Sequence, residues 1–430
     1  MKIRNCLIGV ACLLAGTVSC ERQDPVPDPV LQPEEPEKQQ EDTIRTAILT
    51  GLQRLPQVFI DTPGSRGVSS KTEWVRLATI RIVGDEGAVL FEQDSIQIRG
   101  RGNSTWWNYP KKPYALKLDH QADFLGTGKS RRWVLLANWM DRTLLRNDVA
   151  FEAARRTSME WTPSGTFVEL YLDGMHLGNY WLGEKIYVEG SKFKADYLFS
   201  MDTSDSSEWD FWTSRGFRPN SWAAGLPVEV KHPDRDDFPG GGFPAVLSAA
   251  ETFLTGVEEG IYGGGDLSTL IDVDSFCDWY LVHELCYNLE PNHPKSCYFH
   301  VRDGVLIAGP VWDFDWNTFT PGHSELGVRN SIYFKELLSN PAFIARLRER
   351  WKELKPSFVT LGDYVDARAS EIRTSEAANH QMWPCYPNPV GDSSRMVNHD
   401  ENLTFQEAVD RLKAALAERI QAMDAEIGKL

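Results

Sequence analysis

The sequence runs to 430 residues, 42% of them hydrophobic and 25% charged, with 15 Trp, 13 Tyr and 20 Phe. That profile excludes disorder for most of the chain and allows one large or two medium domains. With 61 acidic against 45 basic residues the net charge is −16, which argues against nucleic-acid binding, a function that needs a basic footprint.

No apolar run reaches the roughly 18–20 residues of a bilayer-spanning helix. Lys2 and Arg4 precede a short apolar stretch from Cys6 to Val18, and Thr17-Val18-Ser19-Cys20 sets small residues before a cysteine. Residues 1–19 therefore read as a secretory signal. The cleavage region resembles a bacterial lipobox with lipid carried on Cys20; an ordinary signal peptide cut nearby is the alternative. Losing Lys2 and Arg4 with the signal takes the exported chain to −18. Residues 20–43 hold five prolines and many carboxylates, the composition of an extended, self-repelling tether. Of the remaining cysteines, Cys277, Cys286, Cys297 and Cys385 form no CxxC or Cys/His zinc pattern and read as small buried apolar groups.

The folded part is expected from residue 44 to 430, β-rich over about 44–235 and helical over about 243–430. Val58–Ile60, Thr79–Val83, Ser95–Arg99 and Pro113–Leu118 alternate as strands, the last with Tyr114, Leu116 and Leu118 on one face and Ala115 and Lys117 on the other. Trp133–Asn138 is a buried strand or apolar turn, and Asp141 opens a helix to about Arg156. Asp173-Gly174 marks a hairpin between Phe167–Leu172 and His176–Leu182. Ser200–Pro244 reads as loop, apart from a short strand at Leu226–Val230. Helices follow at Phe243–Thr255, from a cap at Asp272 or Asp274 to about Tyr287, and from the capping box Thr404-Phe405-Gln406-Glu407, with a hairpin at Tyr298–Ala308 between the last two. The final helix aligns Ala408, Leu412, Leu416, Met423 and Ile427 as a core stripe. Two lobes sharing a cleft would result.

Three patterns could carry chemistry. In Val311-Trp312-Asp313-Phe314-Asp315-Trp316, an extended chain would put Asp313 and Asp315 on one face. Two adjacent carboxylates repel each other, and a hard divalent cation relieves that; an acidic pair in a polar turn is the plainer reading. The loop Arg99-Gly100-Arg101-Gly102-Asn103 with Lys111, Lys112 and Lys117 is a basic island whose glycines let backbone NH groups approach an anion, although Arg99 and Lys117 pairing with surface acids fits equally. Glu184 could orient a lysine, and Asn288-Leu289-Glu290 could bind metal or take a proton from a hydroxyl.

In order along the chain, RGRGNSTW, KKPYALKL, WVLLANWMDRTLLRN, VELYLDGMHLGNYWLGEKI, NLEPNHPKSCYFH and GPVWDFDW resemble the spore-coat CotH kinase family. The likeness spans roughly Leu55 to Thr320 at least, and the lipobox and tether resemble its exported Bacteroides-type lipoprotein members. The resemblance implies an α+β, atypical protein-kinase-like fold with a β-rich N-terminal half and a helical C-terminal half around a cleft. The implied activity is transfer of phosphate from ATP, with Mg²⁺ or Mn²⁺, to Ser or Thr hydroxyls of a protein. Asp313 would hold metal with Asp315 and Asn288. Lys117 would be the nucleotide-phosphate lysine, with Lys112 as the competing choice, and Glu184 its ion-pair partner. Arg99, Arg101 and Asn103 would border the nucleotide, and Glu290 would stand in the catalytic loop. The chain departs from the family's usual Asn-x-Asp and Lys-Asn at Asn288-Leu289-Glu290 and Lys295-Ser296. The expected location is the cell envelope, anchored at the outer membrane through lipid on Cys20. Two other readings are a catalytically lapsed binding lipoprotein and a carbohydrate-active surface protein using the tryptophans as sugar platforms.

Overall fold

The computed structural model describes residues 45–46, 48–189, 192–202, 211–216, 225–384, 398–400 and 402–430; the expected signal, tether, lipidated Cys20 and Cys385 lie outside them. The chain divides into two units, Met1–Thr43 and Ile44–Leu430, and every described element belongs to the second. The strands are β1 (Arg45–Thr46), β2 (Gln57–Asp61), β3 (Val75–Val83), β4 (Val89–Gly100), β5 (Tyr114–Asp123), β6 (Ser130–Leu136), β7 (Gly165–Leu172), β8 (Met175–Glu184), β9 (Tyr197–Met201), β10 (Phe211–Ser214), β11 (Leu226–His232), β12 (Cys297–Arg302) and β13 (Val305–Ala308). The helices are α1 (Ser104–Trp107), α2 (Arg146–Arg155), α3 (Phe243–Tyr262), α4 (Val273–Cys286), α5 (Phe334–Leu337), α6 (Pro341–Val359), α7 (Leu361–Met382) and α8 (Phe405–Lys429). None of these helices is long and apolar enough to cross a membrane.

The first half closes into a seven-stranded barrel in the order β2-β3-β4-β5-β6-β8-β7, with β7 returning to β2 as the parallel pair; β1 adds in parallel to the far end of β5. Alternation along each strand fills the interior. Tyr114, Leu116 and Leu118 of β5 point inward with Ile80, Ile82, Ile96, Ile98, Trp133 and Leu182 from their neighbours. Closure removes the exposed strand edges that an open sheet would present. The β7–β8 turn uses Asp173 at φ 50° and Gly174 at φ 76°, the positive angles a two-residue hairpin needs.

A second sheet, ordered β10-β11-β9-β12-β13, takes strands from both halves of the sequence. It packs on α4, a helix buried on all sides through Phe276, Trp279, Tyr280, Val282 and Leu285. Asp272 caps α4 by accepting from Ser275 N at 2.7 Å, and Thr404 and Glu407 form the reciprocal capping box of α8. The stripe Ala408, Leu412, Leu416, Met423 and Ile427 is buried as its spacing predicts.

The barrel is bound to the helical half by α2 and α7. Trp181 of β8 packs on Phe151 at 5.2 Å between centroids and donates to Asp148 at 2.9 Å. Asn179 donates to Ser375 at 2.9 Å, and the Trp383 indole NH donates to Leu177 O at 2.8 Å.

Three expectations need correction. Asp141 does not start α2: its carboxylate accepts from Thr143 N and Arg146 N in a buried turn, and the helix begins only at Arg146. The stretch expected as loop from Ser200 contains β10 and the end of β9, because Phe211–Ser214 pairs with Leu226–Glu229. The Asp313 loop is not extended, since Asp313 sits at φ 68°.

Candidate functional site

The end of β4, the helix α1 that follows it, the loops after β6 and β8, and the segments 290–298 and 312–316 surround one cavity of about 1090 Å³. Its two walls differ in charge.

The barrel wall is basic. Gly100 is where β4 leaves the barrel, and a Cβ there would lie 2.3 Å from the Trp106 ring, so only glycine lets the buried Trp106 close under the loop. Lys112 completes this anchor by donating to Trp106 O at 2.6 Å and Tyr109 O at 2.5 Å. The result presents Arg99 and Arg101 to the cavity, Asn103 at its rim, and Trp107 at 65% exposure beside them. Arg99 lies over Trp74 at 4.5 Å and Arg101 over Trp312 at 5.3 Å. Lys185, the residue after β8, enters the same wall; its backbone N–H donates to Arg132 O at 3.3 Å, and its side-chain amine has no hydrogen-bonding or ion-pair partner among the described residues. Burial, then the positive charge of Arg132, Arg99, Arg101 and Lys231, pulls its amine down to about 7.

The opposite wall is acidic. Asp313, Asp315, Glu290 and Asp202 all reach the cavity. Burial pushes the Asp313 carboxyl up from its ordinary value, opposed by the facing Arg101 guanidinium and by the Ser296 hydroxyl, which donates to Asp313 Oδ2 at 3.3 Å. Burial also pushes Asp315 well up, and repulsion from Asp313 adds to it. Glu290 is raised in the same way by burial and then by Asp313 and Asp315, with Lys295 opposing. Its Oε2 is buried without a hydrogen-bond partner. Carboxyls so strained by one another's charge are what a divalent cation relieves.

The acidic loop is held from several directions. Asn147 Oδ1 accepts from Phe314 N at 2.7 Å, Asn288 Nδ2 donates to Asp313 O at 3.3 Å, and Asn398 Nδ2 donates to Asp315 O at 2.8 Å. Asn288 is therefore placed behind the loop, with its Oδ1 accepting from Glu290 N at 3.0 Å.

The sequence-predicted residues thus fall into two groups. Arg99, Arg101, Asn103, Glu290, Asp313 and Asp315 converge on the cavity. Lys117, Lys112, Glu184 and Asn288 do not line it. Lys117 pairs in register with Gln97 and Arg132 on the outer face of the barrel, two residues beyond the cavity-lining Ala115. The expected Lys117–Glu184 ion pair is absent: Glu184 pairs with Lys192 and accepts from Thr127 Oγ1 at 2.8 Å and Ser164 N at 3.1 Å, beside a separate pocket of about 320 Å³. The residues missed are Lys185, Asp202, Asn147 and Asn398. Lys185 had a signal, because successive residues of an extended chain face opposite ways, so Lys185 turns to the cavity when Glu184 turns away.

Among the described residues no cluster of three or more His, Cys, Asp or Glu side chains is arranged as a self-sufficient metal cage. The fit is instead to a hard cation held through one or two carboxylates and completed by water and phosphate oxygens, the usual arrangement for Mg²⁺. Asp313 and Asp315 lie two residues apart in one loop on one wall of the cavity, not on opposite sides of a scissile bond as the two carboxyls of a glycosidase are. No curated protein matches the sequence. The family described as CotH kinase protein matches it over residues 96–423.

Proposed function

The chain belongs to the CotH kinase family, and from that premise we propose that its cavity binds a nucleoside triphosphate with Mg²⁺ or Mn²⁺ and passes the terminal phosphoryl group to a Ser or Thr hydroxyl of a protein. One observation carries the reading: a basic wall containing the unpaired Lys185 faces the mutually repelling Asp313 and Asp315 across a single cavity. Phosphoryl transfer asks the protein chiefly to position phosphates and neutralise charge.

Lys185, Arg101 and Arg99 would supply the phosphate contacts from the basic wall, Arg101 being the one of the three that also faces Asp313. Asp313 and Asp315 would hold the cation, which when bound draws off the negative charge that builds on the transferring phosphate. Glu290, whose carboxyl burial and the neighbouring acids make more basic than an ordinary one, would accept the acceptor hydroxyl's proton as the new P–O bond forms and the bond to the leaving diphosphate breaks. Lys295 beside it stabilises the carboxylate form. The family kinship implies ATP and a divalent metal in general, and the proposal assigns them to these side chains. It includes export and lipid anchoring through Cys20, a part that rests on the sequence of residues 1–42.

A second reading, a binding protein that has lost transfer, draws on Ser296, whose hydroxyl already occupies one lone pair of Asp313. Incubation of the protein with γ-labelled ATP, Mn²⁺ or Mg²⁺ and candidate protein acceptors, beside Asp313→Ala, separates the two. Label transfer lost in the variant supports the kinase; retained nucleotide binding with no transfer by either protein supports the binder.

A further inference from the structure

The acidic loop is conformationally costly. Asp313, Asn317 and Phe319 have φ of 68°, 52° and 50°, left-handed backbone that Asp and Asn tolerate but Phe seldom adopts. Such a loop persists only where its surroundings over-determine it. Thr318 Oγ1 donates to Phe314 O at 2.5 Å, Arg146 Nε donates to Thr318 O at 3.1 Å, and Phe319 N donates to Cys286 O at 2.8 Å. Asp315, the more strongly perturbed carboxyl, has its backbone carbonyl held by Asn398 at 2.8 Å.

Asn398 comes from the far end of the sequence, just ahead of α8, and is 1% exposed. Its Nδ2 donates to two carbonyls at once, Asp315 O and, at 3.0 Å, Met140 O. Because both partners are acceptors, the amide nitrogen and not the oxygen must face them. Met140 lines the cavity from the loop after β6, so the one amide ties the barrel wall to the acidic wall. Two residues on, Asp400 fixes the segment through a buried ion pair with Arg146 at 2.7 Å.

We propose that Asn398 is a positioning residue for the cation site: the two donations of its amide set the backbone of Asp315, and with it the spacing of the Asp313–Asp315 pair. The inference rests on the metal-nucleotide reading of the cavity. Asn398→Asp keeps the size and removes the donor. Asn398→Ala removes both and lets water reach the carbonyls, so one variant remains informative if the other fails to fold. Mn²⁺ affinity is read by electron paramagnetic resonance, binding of metal-free ADP by equilibrium dialysis, and folding by the melting temperature. The expected result is Mn²⁺ binding weakened about tenfold in a folded variant, with metal-free ADP binding within about twofold of wild type. Unchanged Mn²⁺ affinity overturns the inference. So does an equal loss for Mn²⁺ and ADP that tracks a lower melting temperature, which would mark a merely structural residue. Failure of the wild-type protein to bind Mn²⁺ overturns the cavity reading as well, and is thereby distinguished from failure of Asn398 alone.

Discussion

Arg101 and Asp313, one from the barrel and one from the helical half, face each other inside the cavity, and the guanidinium opposes the rise that burial imposes on the carboxyl. Arg101 is itself drawn down by burial and supported by Asp313. Removing the guanidinium takes away the charge that opposes protonation of Asp313. Arg101→Gln is expected to move the pH midpoint of Mn²⁺ binding upward by about one unit or more, since a nearby opposite charge lowers an Asp pKa by roughly 1–3 units. Mn²⁺ titrations across pH 5–8 on both proteins check it; an unmoved midpoint would refute the coupling.

The Lys185 amine, pulled down to about 7, makes nucleotide binding proton-linked. A phosphate favours the charged amine, so affinity should fall as pH rises through about 7 and above. Binding at pH 8 should take up a proton. Calorimetry in two buffers of different ionisation enthalpy measures that uptake, and Lys185→Met should abolish it.

Asp315 illustrates the opposite linkage. Its folded-state pKa lies above the unfolded value, so the folded protein binds the proton more tightly, and stability falls as pH rises from about 4 through the folded value. Asp315→Asn removes that penalty. The variant should melt about 2 °C higher than wild type at pH 7 without metal, the scale of a gain of about 1 kcal/mol, and should lose the stabilisation that Mn²⁺ gives wild type. A lower melting point, measured by calorimetry without metal, would contradict the repulsion argument.

Gly100→Ala tests the anchor of the basic loop. The added methyl would meet the Trp106 ring at 2.3 Å, and overpacking of this kind costs about 1–3 kcal/mol. Urea denaturation should register the loss, and nucleotide affinity should fall with it because Arg101 follows directly. Full affinity in a destabilised variant would separate the loop's packing from its binding role.

How much of this was readable from the residues follows physical lines. The inward face of β5 is visible in Tyr114, Leu116 and Leu118, because period-two alternation is local. The same alternation puts Lys117 on the outer face, but it cannot say how far along that face the cavity extends, and the cavity stops at Ala115. Asp313 and Asp315 are brought together as their spacing suggests, though through the left-handed Asp313 and not through a pleat. Arg101 announces itself by the flanking glycines. Asn398 announces nothing: its role depends on where a distant segment docks, a tertiary matter that no local pattern encodes.

The central claim is that Lys185 and Asp313, from opposite walls, hold one metal–nucleotide complex. Equilibrium dialysis of labelled ATP with Mn²⁺ against wild type, Lys185→Met, Asp313→Asn and Lys117→Met tests it directly. The account predicts binding by wild type, a loss of about tenfold or more in the first two variants, and a change within about twofold for Lys117→Met. Absence of binding by wild type, or a loss confined to Lys117→Met, would contradict it.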